Sequence, residues 1–233
     1  MRKKLSTLLD ALPKVWPFSE LPGYRDHAVI FATYSGFSYK DLPPVGAAAD
    51  GHLRWLEEEP PKKENALGDA DGETAQKIRE IEATADFTLP APFLSFLRSP
   101  ELQSRVRSCT ACFLELSDAI VPTVGAEEGH LIQFLSDQQG CLYWSLYVIW
   151  AGEECILCSE TSYGFDDGFG GLGPVNLSEE EMAFCAPSFG EFLYRFWIEN
   201  EIWFALTGGA ALTEEQQAYA DHYRALRAGR EGT

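Results

Sequence analysis

The sequence predicts an α+β fold in which helices pack on an antiparallel sheet, with an N-terminal extension. Helical segments lie on both sides of residues 109–159, and within that range the apolar residues form strand-like runs separated by short polar turns. Short turns join antiparallel neighbours, whereas parallel strands need a long crossover. The runs are therefore expected to pair as a meander.

Composition and charge indicate a folded, strongly acidic chain of 233 residues. Hydrophobic residues make up 45%, enough to offset the entropy lost on ordering. The 36 Asp and Glu outnumber the 18 Lys and Arg, which gives a net charge of −18. That charge repels phosphate backbones and anionic lipid, so we expect neither a nucleic-acid nor a membrane partner. It would attract a basic protein, although solubility alone explains it equally well.

The start of the chain resembles an export signal only faintly. Basic residues are followed by leucines, but Asp10, Pro13 and Lys14 interrupt the apolar run, and no later stretch reaches the length of a membrane span. We therefore expect a cytoplasmic protein. Its six cysteines are expected to remain thiols, because disulfides are rare in that compartment.

Composition divides the chain into four parts. Residues 1–56 are mixed, include a β-rich run, and are expected to form an accessory N-terminal region. Residues 57–72 are charged and broken by two adjacent prolines, which predicts a linker without a packed element. Residues 73–207 form the predicted main domain, and residues 208–233 a C-terminal helical tail.

Three helices are predicted in the main domain, at residues 73–85, 91–98 and 189–206. The first carries its apolar side chains on one face, and the second begins after a Leu-Pro step that stops the first. The third has the pattern of a capping box, in which Ser188 accepts from a first-turn amide and Glu191 reaches back.

Four strand-like runs are predicted, at residues 111–116, 130–135, 141–150 and 155–159. Glycine-bounded or acidic turn segments separate them. Their length is that of hairpin connections, which supports antiparallel pairing of consecutive runs.

In this order the elements resemble those of the SUKH superfamily. Residues 78–82 and 89–97 look like the opening helix of that family and its following Leu-Pro and Phe-Leu helix. Residues 131–143 look like its central hairpin with an acidic-glycine turn, and residues 188–193 like its closing aromatic helix. One departure is clear, because residues 98–101 are Arg-Ser-Pro-Glu where the family commonly has an Asn-Gly step.

The resemblance implies a protein-binding fold with no catalytic residue. Many bacterial members of the superfamily resemble immunity proteins that neutralise toxins, and its yeast founding member regulates cell-wall synthesis. The first hypothesis is therefore an immunity protein whose partner is a basic toxin domain. The second is a regulatory or scaffold module that binds a different protein.

Two CxxC pairs, Cys109 with Cys112 and Cys155 with Cys158, raise the alternative of a zinc- or thiol-dependent enzyme. Both lie in apolar, β-prone sequence, where residues three apart point to opposite sides of a strand. We therefore expect buried structural thiols, with no metal and no cofactor. The sequence also contains no HExxH and no nucleophile elbow, so no catalytic residue is predicted.

A loop rich in aromatic and acidic residues is the predicted partner-contact element. Aromatic side chains beside carboxylates suit the recognition of a basic surface, although the aromatics could instead pack into the core. An acidic residue in the turn of the central hairpin is added to this set. The predicted partner-binding residues are Asp137, Tyr163, Phe165, Asp166, Asp167 and Phe169.

Overall fold

The computed structural model has an α+β fold, which confirms the predicted fold class. It describes residues 11–25, 29–31, 34–46, 52–68, 72–124, 128–149, 152–165, 172–177 and 182–231. Helices, a large curled sheet and a small antiparallel sheet pack together around a shared apolar core.

Six helices are seen in these ranges. They are α1 (Arg54–Glu57), α2 (Thr74–Thr84), α3 (Ala91–Leu97), α4 (Pro100–Gln103), α5 (Phe189–Gly208) and α6 (Glu214–Glu231). The three helices predicted for the main domain are confirmed as α2, α3 and α5. None of the helical segments in the described ranges is both apolar enough and long enough to span a bilayer.

Helix α5 begins where its predicted cap lies. The Ser188 hydroxyl accepts a hydrogen bond from the Glu191 amide at 3.2 Å, which satisfies one of the unpaired first-turn donors. Gly209 ends the helix in the left-handed region, at φ 69°. The Glu191 carboxylate also accepts from the side chains of Tyr39 and Arg195, so it ties the helix start to the N-terminal region.

Within the described residues, ten strands form two sheets. They are β1 (Val15–Phe18), β2 (Val29–Phe31), β3 (Tyr34–Ser38), β4 (Phe113–Leu114), β5 (Val121–Val124), β6 (Gly129–Ser136), β7 (Tyr143–Ile149), β8 (Glu154–Ser159), β9 (Val175–Asn176) and β10 (Met182–Ala186). The large sheet has the order β10-β8-β7-β6-β5-β9, with β4 also pairing with β6.

The predicted meander is confirmed for β6, β7 and β8, which pair antiparallel in succession. The run predicted at residues 111–116 is reduced to the short strand β4. The large sheet is not antiparallel throughout, because β9, which lies outside the four predicted runs, pairs with β5 in parallel.

The N-terminal region packs onto the main domain. Its strands form a sheet of order β1-β3-β2, and the Phe184 amide of β10 donates to the Pro13 carbonyl at 2.8 Å. Lys14 and Phe184 form a parallel bridge at the same place, so the small sheet continues from the β10 edge of the large one. Trp16 of β1 and Tyr34 of β3 are buried in the same core as the helices.

The stretch predicted as an unpacked linker is held against the main domain over residues 57–68. The Lys62 amide donates to the Ser104 carbonyl at 2.8 Å, and the Leu67 amide donates to the Val106 carbonyl at 2.7 Å. Leu67 is buried in the main core. Its few apolar side chains and these backbone hydrogen bonds explain why a largely polar segment is packed after all.

Helix α6 is joined to the N-terminal region through Glu199 of α5, which we call the Glu199 hub. The carboxylate accepts from both terminal nitrogens of Arg25, at 3.2 and 2.9 Å. It also accepts from Trp16 at 2.9 Å, from Tyr219 at 3.0 Å and from Tyr223 at 2.6 Å. All five residues are buried, so the C-terminal helix is part of the core and not a loose tail.

Candidate partner-binding site

The β9 end of the large sheet carries the exposed apolar surface of the described chain. Val124 of β5 is 45% exposed, and Leu172, just before β9, is 47% exposed. No other large hydrophobic residue in the described ranges is as open to solvent. Val124 pairs with Asn176 of β9, and β9 is the outermost strand at this end. We call Val124, Leu172 and β9 the β9 edge.

The loop between β8 and β9, which contains most of the predicted contact residues, starts from a fixed stem. The Gln133 side chain of β6 accepts from the Ser162 hydroxyl at 3.1 Å and from the Tyr163 amide at 3.0 Å. Gln133 also donates to the Ser136 hydroxyl at 3.0 Å. A buried amide therefore positions the loop against the central strand of the sheet.

Gly164 brings the stem against the segment before β5. Its carbonyl accepts from the Asp118 and Ala119 amides at 2.9 and 3.2 Å. Gly164 has φ +86°, and an added Cβ would lie 2.7 Å from the Ser117 Cβ. Both the conformation and the close approach require glycine here.

A pocket of about 380 Å³ opens beside this junction, and we call it the α2 pocket. One wall is made by Lys77, Glu80, Ile81 and Thr84 of α2, and the other by residues 117–120. Lys77 donates to the Asp118 carboxylate at 2.7 Å. Burial alone would lower the pKa of Lys77, but the hydrogen bond to Asp118 and the Asp118 charge raise it by a larger amount. The net shift of the pKa is upward, so the ammonium stays charged.

The structure divides the predicted contact residues into three groups. Asp137 and Tyr163 are buried, so their side chains are not accessible to a partner in this structure. Their burial is inconsistent with the contact role predicted for them. Phe165 is half-buried at the end of the stem, and its role stays a prediction. Asp166, Asp167 and Phe169 lie outside the described residues.

Asp137 has a structural environment that explains its burial. Its carboxylate accepts from the Tyr34 hydroxyl at 2.8 Å, the Gln139 amide at 2.9 Å and the Cys141 thiol at 3.0 Å. The turn of the central hairpin is thus closed by its own aspartate, as in an Asx turn. The bond to Tyr34 also attaches this turn to the N-terminal sheet.

The cysteines of the two CxxC pairs occupy different settings. Cys155 and Cys158 point to opposite faces of β8, each into a different apolar cluster, as the strand period predicts. Cys109 and Cys112 lie in a turn that includes Ala111 at φ 57°. None of the six cysteines is in a disulfide, and the described residues hold no group of three metal-ligating side chains.

Burial disfavours thiolate formation at Cys109, Cys112 and Cys155. It raises the pKa of Cys109 to about 12, and it also raises the pKa values of Cys112 and Cys155. Catalytic thiols need the opposite shift. This arrangement therefore gives no support to the thiol-enzyme alternative.

Comparison with known proteins adds no relative. No family model matches the chain, and neither the curated proteins nor the solved structures contain a significant match. The SUKH resemblance therefore stays a prediction based on the motifs quoted above.

Sequence reasoning missed the β9 edge and the α2 pocket. Residues 121–124 alternate buried and exposed side chains, the pattern of a half-buried strand, but Pro122 obscures it. No sequence pattern placed α2 across from residues 117–120. That arrangement depends on tertiary packing.

Proposed function

We propose that the protein is a non-enzymatic binding module that engages a basic protein partner at the β9 edge. The observation that carries this proposal is that Val124 and Leu172, both exposed, are at the same end of the sheet beside the predicted contact loop. Apolar side chains at an outer strand, within an acidic chain, suit a partner that combines an apolar anchor with a basic surround.

Within this role we propose an immunity protein that acts in the cytoplasm and neutralises a basic toxin domain. The SUKH resemblance and the net charge of −18 support this choice. Toxin domains that degrade nucleic acid are often basic, and an acidic inhibitor would associate with them rapidly. A regulatory or scaffold role remains the alternative under the same resemblance, and it requires a partner that is not toxic.

The test is partner capture from the native host with purified protein, at low and at high salt. We expect one stoichiometric basic partner whose binding weakens as salt screens the charges, and whose expression alone arrests growth. A stoichiometric partner that causes no growth arrest would favour the regulatory role. Bound zinc without any partner would overturn the proposal in favour of a metal-dependent function.

Site-directed variants test whether the β9 edge is the contact surface. Leu172→Lys places a like charge against a basic partner and removes an apolar anchor, so the partner should bind at least tenfold more weakly. Ala218→Lys adds the same charge at an exposed residue of α6 that is not part of the β9 edge, and it should leave affinity nearly unchanged. Equal losses in both variants would mean that only overall charge matters.

A further inference from the structure

Two thiols that the proposed binding role does not use lie on neighbouring strands of the large sheet. Cys158 is near the end of β8, and Cys185 is in β10, the outermost strand at that end of the sheet. Ala183 lies opposite Cys158 in the antiparallel register, so Cys185 is only two residues further along. In a regular ladder such diagonal neighbours are about 7–8 Å apart, which is too far for two thiols to meet.

A β-bulge in β10 shortens this separation. Phe184 and Ala186 pair with consecutive residues of β8, so Cys185 between them is the extra residue of the bulge. Because two residues of β10 then take the place of one, Cys185 lies nearer to Cys158 than regular pairing would put it. The two thiols are within hydrogen-bonding reach of one another.

The strand period keeps Cys155 away from this pair. Cys158 and Cys185 both point into the core cluster that contains α5, whereas Cys155 points into the cluster on the other face of β8. Trp144 of β7 lies directly opposite Cys158 and covers the same face. Two sulfur atoms that face the same way on adjacent strands have the arrangement that a disulfide needs.

We infer that Cys158 and Cys185 form a site of oxidative modification, at which hydrogen peroxide closes a disulfide between β8 and β10. One thiolate attacks the peroxide and breaks its O–O bond, which leaves a sulfenic acid and hydroxide. The second sulfur then displaces the hydroxyl group from the sulfenic acid, and the new S–S bond forms. Two thiols are oxidised and one peroxide is reduced to two waters, so atoms and electrons balance.

The disulfide would close a ring that contains the loop between β8 and β9, Leu172 and β9 itself. Residues 159–184 lie between the two cysteines, so oxidation would fix both ends of this segment to the sheet. Burial raises the pKa of Cys185 above its ordinary range, although the charge of Arg195 opposes the shift. The thiolate is therefore a minor species, and closure is expected to be slow. The inference does not depend on the proposed binding function.

Peptide mapping after mild oxidation tests the pair in the full chain. The folded protein is treated with hydrogen peroxide, and the remaining thiols are alkylated in denaturant before digestion with a protease that cleaves after glutamate. This cleavage places Cys158 in residues 155–160 and Cys185 in residues 182–191. We expect the two peptides to be joined, with a mass lower by two hydrogen atoms than the sum of the reduced peptides.

Two alanine variants identify the sulfur atoms that react. Cys155→Ala removes the other thiol of the same peptide, and the joined peptides should form to the same extent as in the unmodified protein. Cys158→Ala should reduce them at least tenfold. Circular dichroism of both variants shows whether the fold is retained, and the mapping of the unmodified protein decides the inference even if one variant does not fold.

The inference is overturned if Cys155→Ala removes the joined peptides, or if they form only after unfolding in urea. It is also overturned if both thiols remain open to alkylation while the half-buried Cys109 and Cys141 are oxidised. A disulfide that fits the sheet should raise the urea concentration at which the protein unfolds, because it restricts the unfolded chain. A lower midpoint in the oxidised protein would show that the bond distorts the sheet, and it would reject the pair.

Discussion

The Glu199 hub and the β9 edge use polar groups in opposite ways. At the hub, one buried carboxylate accepts five hydrogen bonds from the N-terminal region and α6, and the residues around it are shielded from water. At the β9 edge and the α2 pocket, carboxylates and apolar side chains face solvent. The difference shows that the acidic residues of this chain have two kinds of environment, one buried within the fold, as at Glu199, and one exposed to solvent, as at Glu80 and Asp118.

Removing the hub carboxylate should have the largest effect on stability. Glu199→Ala leaves the Arg25 guanidinium buried without its ion partner, and breaking such a pair costs about 3–5 kcal/mol. Urea unfolding of this variant and of Glu58→Ala, an exposed glutamate, measures the difference. A loss at Glu199 no larger than that at Glu58 would mean that the hub contributes little to stability.

The loop stem should show an intermediate effect. In Gly164→Ala the left-handed backbone is strained and the new Cβ presses on Ser117, so the free energy of unfolding should fall by about 2 kcal/mol. Gly173→Ala, where an added Cβ meets nothing within 4 Å, is the matched control. The two variants are compared by thermal unfolding. Comparable stability in both would show that the stem tolerates a side chain.

A pH-dependent contribution is expected from Glu154, at the start of β8. Burial raises the pKa of its carboxyl to about 7, although the hydrogen bond accepted from the Phe189 amide opposes the shift. A raised pKa means that the folded state binds the proton more tightly than the unfolded state. The stabilisation is complete below pH 4.5 and is lost as the pH rises through 7.

Substitution of Glu154 by glutamine tests this sign. Glu154→Gln keeps the side chain neutral at every pH, so its unfolding free energy should fall less between pH 5 and pH 8 than that of the unmodified protein. The difference should be about 1–2 kcal/mol after allowing for partial solvent screening. Parallel stability profiles for the two proteins would contradict the raised pKa.

The smallest stability effect is expected at the β9 edge. Leu172→Lys should change the free energy of unfolding by less than about 0.5 kcal/mol, because its side chain is already 47% exposed. Measured beside its large expected loss of partner affinity, this result would sharpen the contrast with the hub. A substantial loss of stability would instead mean that the Leu172 side chain contributes to the packing of the fold.

The sequence was informative wherever a local signal determined a local structure. Helix α5 begins after Ser188 and ends at Gly209, as is usual for a serine cap and a C-terminal glycine. The two-residue period of a strand correctly predicted that Cys155 and Cys158 point to opposite faces of β8. These outcomes depend on neighbours within a few residues, which a single sequence contains.

Long-range arrangements were not predictable in the same way. The pairing of β5 with β9 joins segments about fifty residues apart, and Trp16 meets Glu199 across 183 positions. Asp137 has the sequence context of a solvated turn, and the hydrogen bond it accepts from the Tyr34 hydroxyl comes from the N-terminal sheet, 103 positions away. The acidic composition indicated a charged surface but could not tell which carboxylates are buried.

The bridge between Pro13 and Phe184 has a consequence for how the chain avoids self-association. The N-terminal segment pairs with β10 at Phe184, on the strand edge that would otherwise be open. A shortened chain that begins at residue 73 would lack this cover, and it would also lose Trp16 and Arg25 from the hub. Such a chain is expected to aggregate through β10, which light scattering would detect, so the N-terminal region serves as a built-in protective strand.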